Sequence, residues 1–342
     1  TQFNWTYDGT RPTMTITATN GDSEVSNGEV TNDSTLTLTF TSSEATTNFI
    51  ESDVAVTNGN LSSFDATSST VYTAILTPSA GGLVTIRVGG GMFTDAAYNG
   101  NLPATPFNWT YDEIPTMTIT ANNGNSEVSD GEVTNDSTLV LTFMSSEPTA
   151  DFIQDDITVT GGSLDSFLAI STRKYTATLT PSGVGEITID VAAGSFTDAT
   201  GNSNTAATQF NWTYDITAFT MTITATSEDS ETGEDSDVSD GGVTNDPFLY
   251  LTFISGEETI DFTQDDITVT GGTLSSFFSE SSTTYTATLT PSEDGIVTIL
   301  VTEGSFTDSA GNFNIISDPF TWTYDSLKPS MTITATNGSN QV

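Results

Sequence analysis

Neither cysteine nor histidine occurs among the 342 residues, and only five are basic: Arg11, Arg87, Arg173, Lys174 and Lys328. Without cysteine there is no disulfide, no thiolate nucleophile and no thiolate metal site. Without histidine there is no imidazole base, no Ser-His or Cys-His pair and no imidazole ligand for zinc or haem. The metal chemistry that remains uses oxygen ligands, which suits calcium or magnesium. Against the five cations stand 45 Asp and Glu, a formal net charge of −40. That field repels nucleic acid and anionic lipid and concentrates divalent cations. No run approaches the roughly 20 apolar residues of a membrane helix, and no signal-peptide pattern is present.

What is present is repetition. Met-Thr-Ile-Thr-Ala begins at Met14, Met117, Met221 and Met331, and Trp-Thr-Tyr-Asp at Trp5, Trp109, Trp212 and Trp322. A period of about 100 residues is that of whole domains stacked in tandem. The chain therefore reads as five pieces: the end of a preceding repeat (1–11), complete repeats over 12–112, 113–215 and 216–325, and the start of a following one (326–342). The third repeat is lengthened by an acidic insertion at 227–237, read as a loop. This pattern is expected of a segment of a much longer protein.

Within a repeat the apolar period is two. Leu139, Leu141 and Phe143 alternate with Val140 and Thr142, and Tyr175, Ala177 and Leu179 with threonines; Ile187, Ile189 and Val191, then Phe210, Trp212 and Tyr214, follow. Period two with a threonine-rich opposite face is the mark of half-buried strands. Turn signals such as Gly161-Gly162 and Pro181-Ser182-Gly183 separate the runs. Six or seven short strands per repeat predict an all-β chain of tandem immunoglobulin-like β-sandwiches in a linear array. With no intersheet disulfide available, the Phe210, Trp212, Tyr214 strand is expected to supply core bulk.

The strings TLVLTF (138–143), DDITVTGG (155–162), YTATLTPSG (175–183), GSFTDATGN (194–202) and WTYD (212–215) resemble the bacterial-type immunoglobulin-like repeats of giant secreted and cell-surface proteins. The resemblance covers all three complete repeats and both partial ones. It implies an extracellular adhesive or spacer role without catalysis.

Strand order also predicts where acids meet. The loop after the second long strand and the loop before the last strand should both return to the preceding linker. In the first repeat this gathers Glu44, Asp53 and Asp95 opposite Asp8; in the second, Glu147, Asp151, Asp156 and Asp198 opposite Asp112; in the third, Glu257, Asp261, Asp266 and Asp308 opposite Asp215. Converging carboxylates need a compensating cation, and calcium, with six to eight oxygen ligands, is the candidate, at an affinity of roughly 10⁻⁴–10⁻³ M. The competing reading is that these are solvated turn acids. No contiguous calcium loop decides between them.

Asn-x-Ser/Thr acceptors recur at Asn4, Asn32, Asn60, Asn108, Asn135 and Asn211, and again at Asn337; they permit N-glycosylation in a eukaryotic host or arise from a Thr- and Asn-rich composition. Phe167-Leu168 and Phe277-Phe278 are apolar doublets, so one member of each should face outward. Partners expected from these features are neighbouring repeats of the same chain and, as alternatives, lateral copies of itself or surface glycans, with no nucleic acid and no membrane insertion in this segment.

Overall fold

The computed structural model describes residues 2–228, 235–335 and 338. Each complete repeat is a two-sheet sandwich. In the first, nine strands run in order: β1 (Met14–Thr19), β2 (Glu24–Val25), β3 (Val30–Thr31), β4 (Leu36–Ser42), β5 (Val54–Thr57), β6 (Gly59–Ala66), β7 (Val71–Pro78), β8 (Gly82–Val88) and β9 (Phe107–Tyr111). One sheet has the order β2-β1-β4-β7-β6 and the other β3-β9-β8-β5. All pairings are antiparallel except β3 with β9. The same nine recur from Met117–Asn122 to Phe210–Tyr214 and from Met221–Glu228 to Phe320–Tyr324. Nine strands exceed the six or seven expected because two- and three-residue edge strands carry no readable alternation. Among the described residues no helix is long and apolar enough to cross a membrane, which leaves strands out of account.

The alternation read from sequence is the burial observed. Leu36, Leu38 and Phe40 of β4, Tyr72, Ala74 and Leu76 of β7, and Val84, Ile86 and Val88 of β8 all face the core. Phe49, from the loop after β4, lies between the sheets with its ring 5.6 Å from Phe40, 5.0 Å from Tyr72 and 5.2 Å from Phe93. Phe152 and Phe262 hold that place in the other repeats. Such edge-to-face pairs contribute about 0.5–1.5 kcal/mol each beyond their buried area.

The tryptophan of the last strand is fully buried in each repeat. A buried indole N–H without an acceptor is costly. Trp109, Trp212 and Trp322 donate to the hydroxyls of Thr31, Thr134 and Thr244 at 3.0, 3.1 and 3.0 Å. The acceptor threonine sits on the strand that pairs in parallel with the tryptophan's own. This bond therefore fastens the short third strand to the core.

A bulge resolves the apolar doublets. Pairing with the neighbouring strand slips between Asp165 and Leu168, and Ser166 takes a left-handed φ of 56°. Ser63 and Ser276 do likewise. An extra residue reverses the facing of those that follow. Phe167 then stacks on Tyr175 at 5.9 Å, while Leu168 is 56% exposed. Phe277 and Phe278 divide in the same way.

The insertion of the third repeat is partly strand. Ser227 and Glu228 pair with Ser236 and Asp235, so the flanks of 227–237 extend the first hairpin rather than forming a loop throughout. Its centre, 229–234, lies outside the described residues, as does Asn337.

Thr134→Val keeps the side-chain shape and removes the acceptor of Trp212. The expected cost is about 1–3 kcal/mol, read by calorimetry as a lowered transition for one repeat. Thr178→Val, on the outward face, is expected to change stability by no more than about 0.5 kcal/mol.

Candidate metal centres at the repeat junctions

The pairing of β1 with β4 decides which loops meet the linker. Met14 lies opposite Ser42, and the Ser43 N–H donates to the Thr13 carbonyl at 2.9 Å. The loop after β4 therefore returns to the start of β1. The loop between β8 and β9 arrives at the same end, where Leu102 N–H donates to Pro12 O at 2.8 Å and Thr46 bridges Asp95. Glu44 and Asp95 thus stand beside the linker residue Asp8.

Asp95 is 7% exposed. Its Oδ1 accepts the N–H groups of Ala97 and Asn99 at 2.8 and 2.9 Å, and its Oδ2 accepts Asn99 Nδ2 at 2.9 Å. The same amide reaches the Asp8 carbonyl at 3.3 Å. In the third repeat Asp308 and Asn312 repeat this arrangement, with Asn312 Nδ2 donating to Asp215 O at 3.0 Å. The linker acid belongs to both neighbours, for the Asp215 N–H donates back to Thr134 of the second repeat at 3.0 Å.

Two trios converge among the described residues. Carboxylate oxygens of Asp8, Glu44 and Asp95 all lie within 4.8 Å of one another, and so do those of Asp215, Glu257 and Asp308. Burial and then the charges of Asp8 and Asp95 push the Glu44 carboxyl above its ordinary value of 4.5. Glu257 is raised by burial, then by Asp215 and Asp308. Burial pushes Asp95 and Asp198 upward too, but donors outweigh it and both end below 3.8. These donors come from Asn99 and Ala97 for Asp95, and from Thr200 and Asn202 for Asp198. The first and second repeats thus each fix one acid as a carboxylate by these donors, and Asp308 of the third accepts the same set of N–H groups. In the first and third, a glutamate stands against it with no partner of opposite charge.

The second repeat differs. Asp112, Glu147 and Asp198 do not form such a trio. Asp112 Oδ2 instead accepts from the Thr200 hydroxyl and the Asn202 amide, and Glu147 pairs with Arg173 at 3.2 Å. This is the single salt bridge among the described residues.

The remaining predicted acids have other work. Asp53, Asp156 and Asp266 accept from the N–H of Ile50, Ile153 and Thr263 at 3.0, 2.8 and 2.7 Å, closing the one-turn 3-10 helices Glu51–Asp53, Gln154–Asp156 and Gln264–Asp266. Asp151 and Asp261 accept from Thr197 and Thr307 and tie the two loops together. Glu113, next to Asp112 in the linker, accepts from Gly81 N–H at 2.9 Å and so turns back to the first repeat.

Asn4, Asn32, Asn60 and Asn135 are exposed, while Asn108 and Asn211 are half-buried on the outer face of the last strand. Asn211 Nδ2 donates to Asp130 at 3.2 Å, and Asn135 Nδ2 to Asn312 of the next repeat at 3.2 Å. A glycan on either nitrogen would replace that bond.

Sequence reasoning passed over a buried asparagine. Asn101, Asn204 and Asn314 are 0%, 3% and 1% exposed. Asn204 accepts Phe196 N–H and donates to the carbonyls of Ala192 and Thr205, pinning the loop that carries Asp198. Its recurrence two residues after Asn202, in every repeat, was the available signal.

The bacterial Ig-like domain family matches residues 8–110, 112–214 and 215–324, and the chain belongs to that family. No curated protein matches it in sequence. Among solved structures it is similar to FdeC, an Escherichia coli adhesin, at 12% identity over 92% of this chain and 98% of that chain, with a TM-score of 0.32. It is similar to InvD of Yersinia pseudotuberculosis at 13% identity over 94% and 99%, with a TM-score of 0.27. Invasin, a bacterial integrin-binding protein, is 15% identical over 84% of this chain and 56% of that chain, with a TM-score of 0.31. The chain spans little more than half of the invasin structure. Likeness at this distance carries no ligand with it.

The acids set opposite pH limbs. Asp95 and Asp198, lowered by folding, contribute stability that is full above 3.8 and lost as pH falls through their folded values. Glu44 and Glu257, raised by folding, contribute stability that is full below 4.5 and lost as pH rises through theirs. In chelator the melting temperature is therefore expected to peak in mild acid. Glu44→Gln with Glu257→Gln should flatten the decline on the alkaline side. An unaltered decline would show that carboxylate crowding does not cause it.

Proposed function

We propose that this chain is a non-catalytic structural segment of a giant extracellular or cell-surface protein, a tandem Ig-like spacer whose junctions are stiffened by calcium. The observation that carries the reading is the composition of the two trios. Each takes one acid from the linker and two from different loops of the following repeat. A cation bridging all three would tie linker to loops and remove hinge freedom from the junction. Calcium suits the site because its ligands are carboxylate and carbonyl oxygens in irregular geometry, and the chain has no histidine or cysteine to favour a transition metal. Asp8 O and Asp215 O, each already held by an asparagine amide, are neighbouring carbonyl oxygens. Family membership supports the structural part: three copies of one domain, with near-identical loops, suit a repeated spacer better than a single specific receptor site.

Thermal unfolding in about 10 mM calcium and in excess chelator tests the reading. At a dissociation constant of roughly 10⁻⁴–10⁻³ M, each occupied site should stabilise its repeat by about 1.4–2.7 kcal/mol. The melting temperature should rise, and small-angle scattering should show less bending between repeats. Superimposable curves in calcium and chelator would overturn calcium stiffening and leave the acids as turn and solvation groups.

A further inference from the structure

The second junction departs from the other two at two further positions, and both changes add a donor to an acid. Position 173 is arginine, where the first and third repeats have Thr70 and Thr283. Position 200 is threonine, where they have Ala97 and Ala310. Arg173 Nη2 reaches Glu147 Oε2 at 3.2 Å, and Nη1 donates to the Ser146 carbonyl, so the guanidinium is held at the loop after the fourth strand. The Thr200 hydroxyl donates to Asp112, and Asn202 turns its amide to the Asp112 carboxylate, whereas Asn99 and Asn312 bond the backbone carbonyl of their linker acid. Asp112 N–H stays on Thr31 of the preceding repeat at 3.0 Å. These side-chain bonds join linker to loops in addition to the backbone bond from Thr205 N–H to Pro115 O at 3.0 Å, which the first repeat shares as Leu102 to Pro12. A guanidinium fork supplies fixed charge and direction to a carboxylate, the two things a bound cation would supply.

We propose that the second junction is self-neutralised, Arg173 and Thr200 taking the place of a metal, so that the segment takes up divalent cation at its first and third junctions and not at its second. The cation count rests on the calcium reading given above; the order of the second junction in the absence of metal does not. The array would then alternate joints set by the surrounding calcium with one that is stiff at any calcium concentration. Differences between repeats, and not their common pattern, would set where a chain of this kind bends when calcium falls.

The test restores the residues of the other repeats in the full chain, as Arg173→Thr with Thr200→Ala. Calcium chloride binding is counted by titration calorimetry, and hydrogen exchange in chelator is followed over 110–116. Circular dichroism checks that the variant keeps its strands. The expected result is two calcium ions for the wild type and three for the variant, with exchange over 110–116 in chelator at least tenfold faster in the variant. Two ions for both proteins, or three for the wild type, would overturn the proposal. No calcium on either protein would overturn the calcium reading instead. The exchange arm then decides alone: faster exchange in the variant upholds a self-neutralised junction, and equal exchange overturns it.

Discussion

The antiparallel ladder between the first and fourth strands of each repeat is the constraint on which the junctions depend. With Met117 opposite Ser145, the chain leaves the fourth strand at the point where it entered the first. The acids that follow are thereby delivered to the linker. Register here is held by burial, because Met117 and Ala121 on one strand and Leu139, Leu141 and Phe143 on the other face one core. A slip of one residue would turn the buried set of the slipping strand to solvent. The carboxylates at the junction are thus positioned by the apolar side chains within the sandwich.

Packing does the work that a disulfide does in other sandwiches. A fully buried tryptophan on the last strand, hydrogen-bonded to a threonine on the third, joins the edge of one sheet to the core. A phenylalanine from the loop after the fourth strand fills the space among four other rings. That loop is also the carrier of Glu44, Glu147 and Glu257. Its backbone is consequently fixed at one end by a buried ring and at the other by the ladder, which limits how far the glutamates can retreat from one another's charge.

Electrostatics then differentiates otherwise equivalent joints. Backbone and asparagine donors hold Asp95 and Asp198 as carboxylates. Burial, and then two further acids brought close, raise the cost of ionising Glu44 and Glu257. With so few basic residues in the chain, counter-charge is scarce. Arg11 of the first linker spends its guanidinium on the carbonyls of Gly100 and Asn101; where a cation pairs with an acid, at Arg173, the acids part and each finds a donor. The same fold thus supports two kinds of joint, set by a pair of substitutions per repeat.

The sequence by itself determined the repeat, the sandwich and the face of the long strands that lack a bulge, because period-two alternation is a local record of burial. It also determined which loops hold acids and, through strand order, that some of those loops meet a linker. Very short strands, the bulge at Ser166 and the buried role of Asn204 were set by pairing and backbone geometry that leave no periodic trace. Tertiary structure alone decided which acids meet. Asp53, Asp156 and Asp266 are as acidic as their neighbours, yet they close 3-10 turns, while Glu44 and Glu257 face other carboxylates. Only in three dimensions do Arg173 and Glu147, 26 positions apart, become an ion pair, since charge acts through distance in space and sequence records distance along the chain.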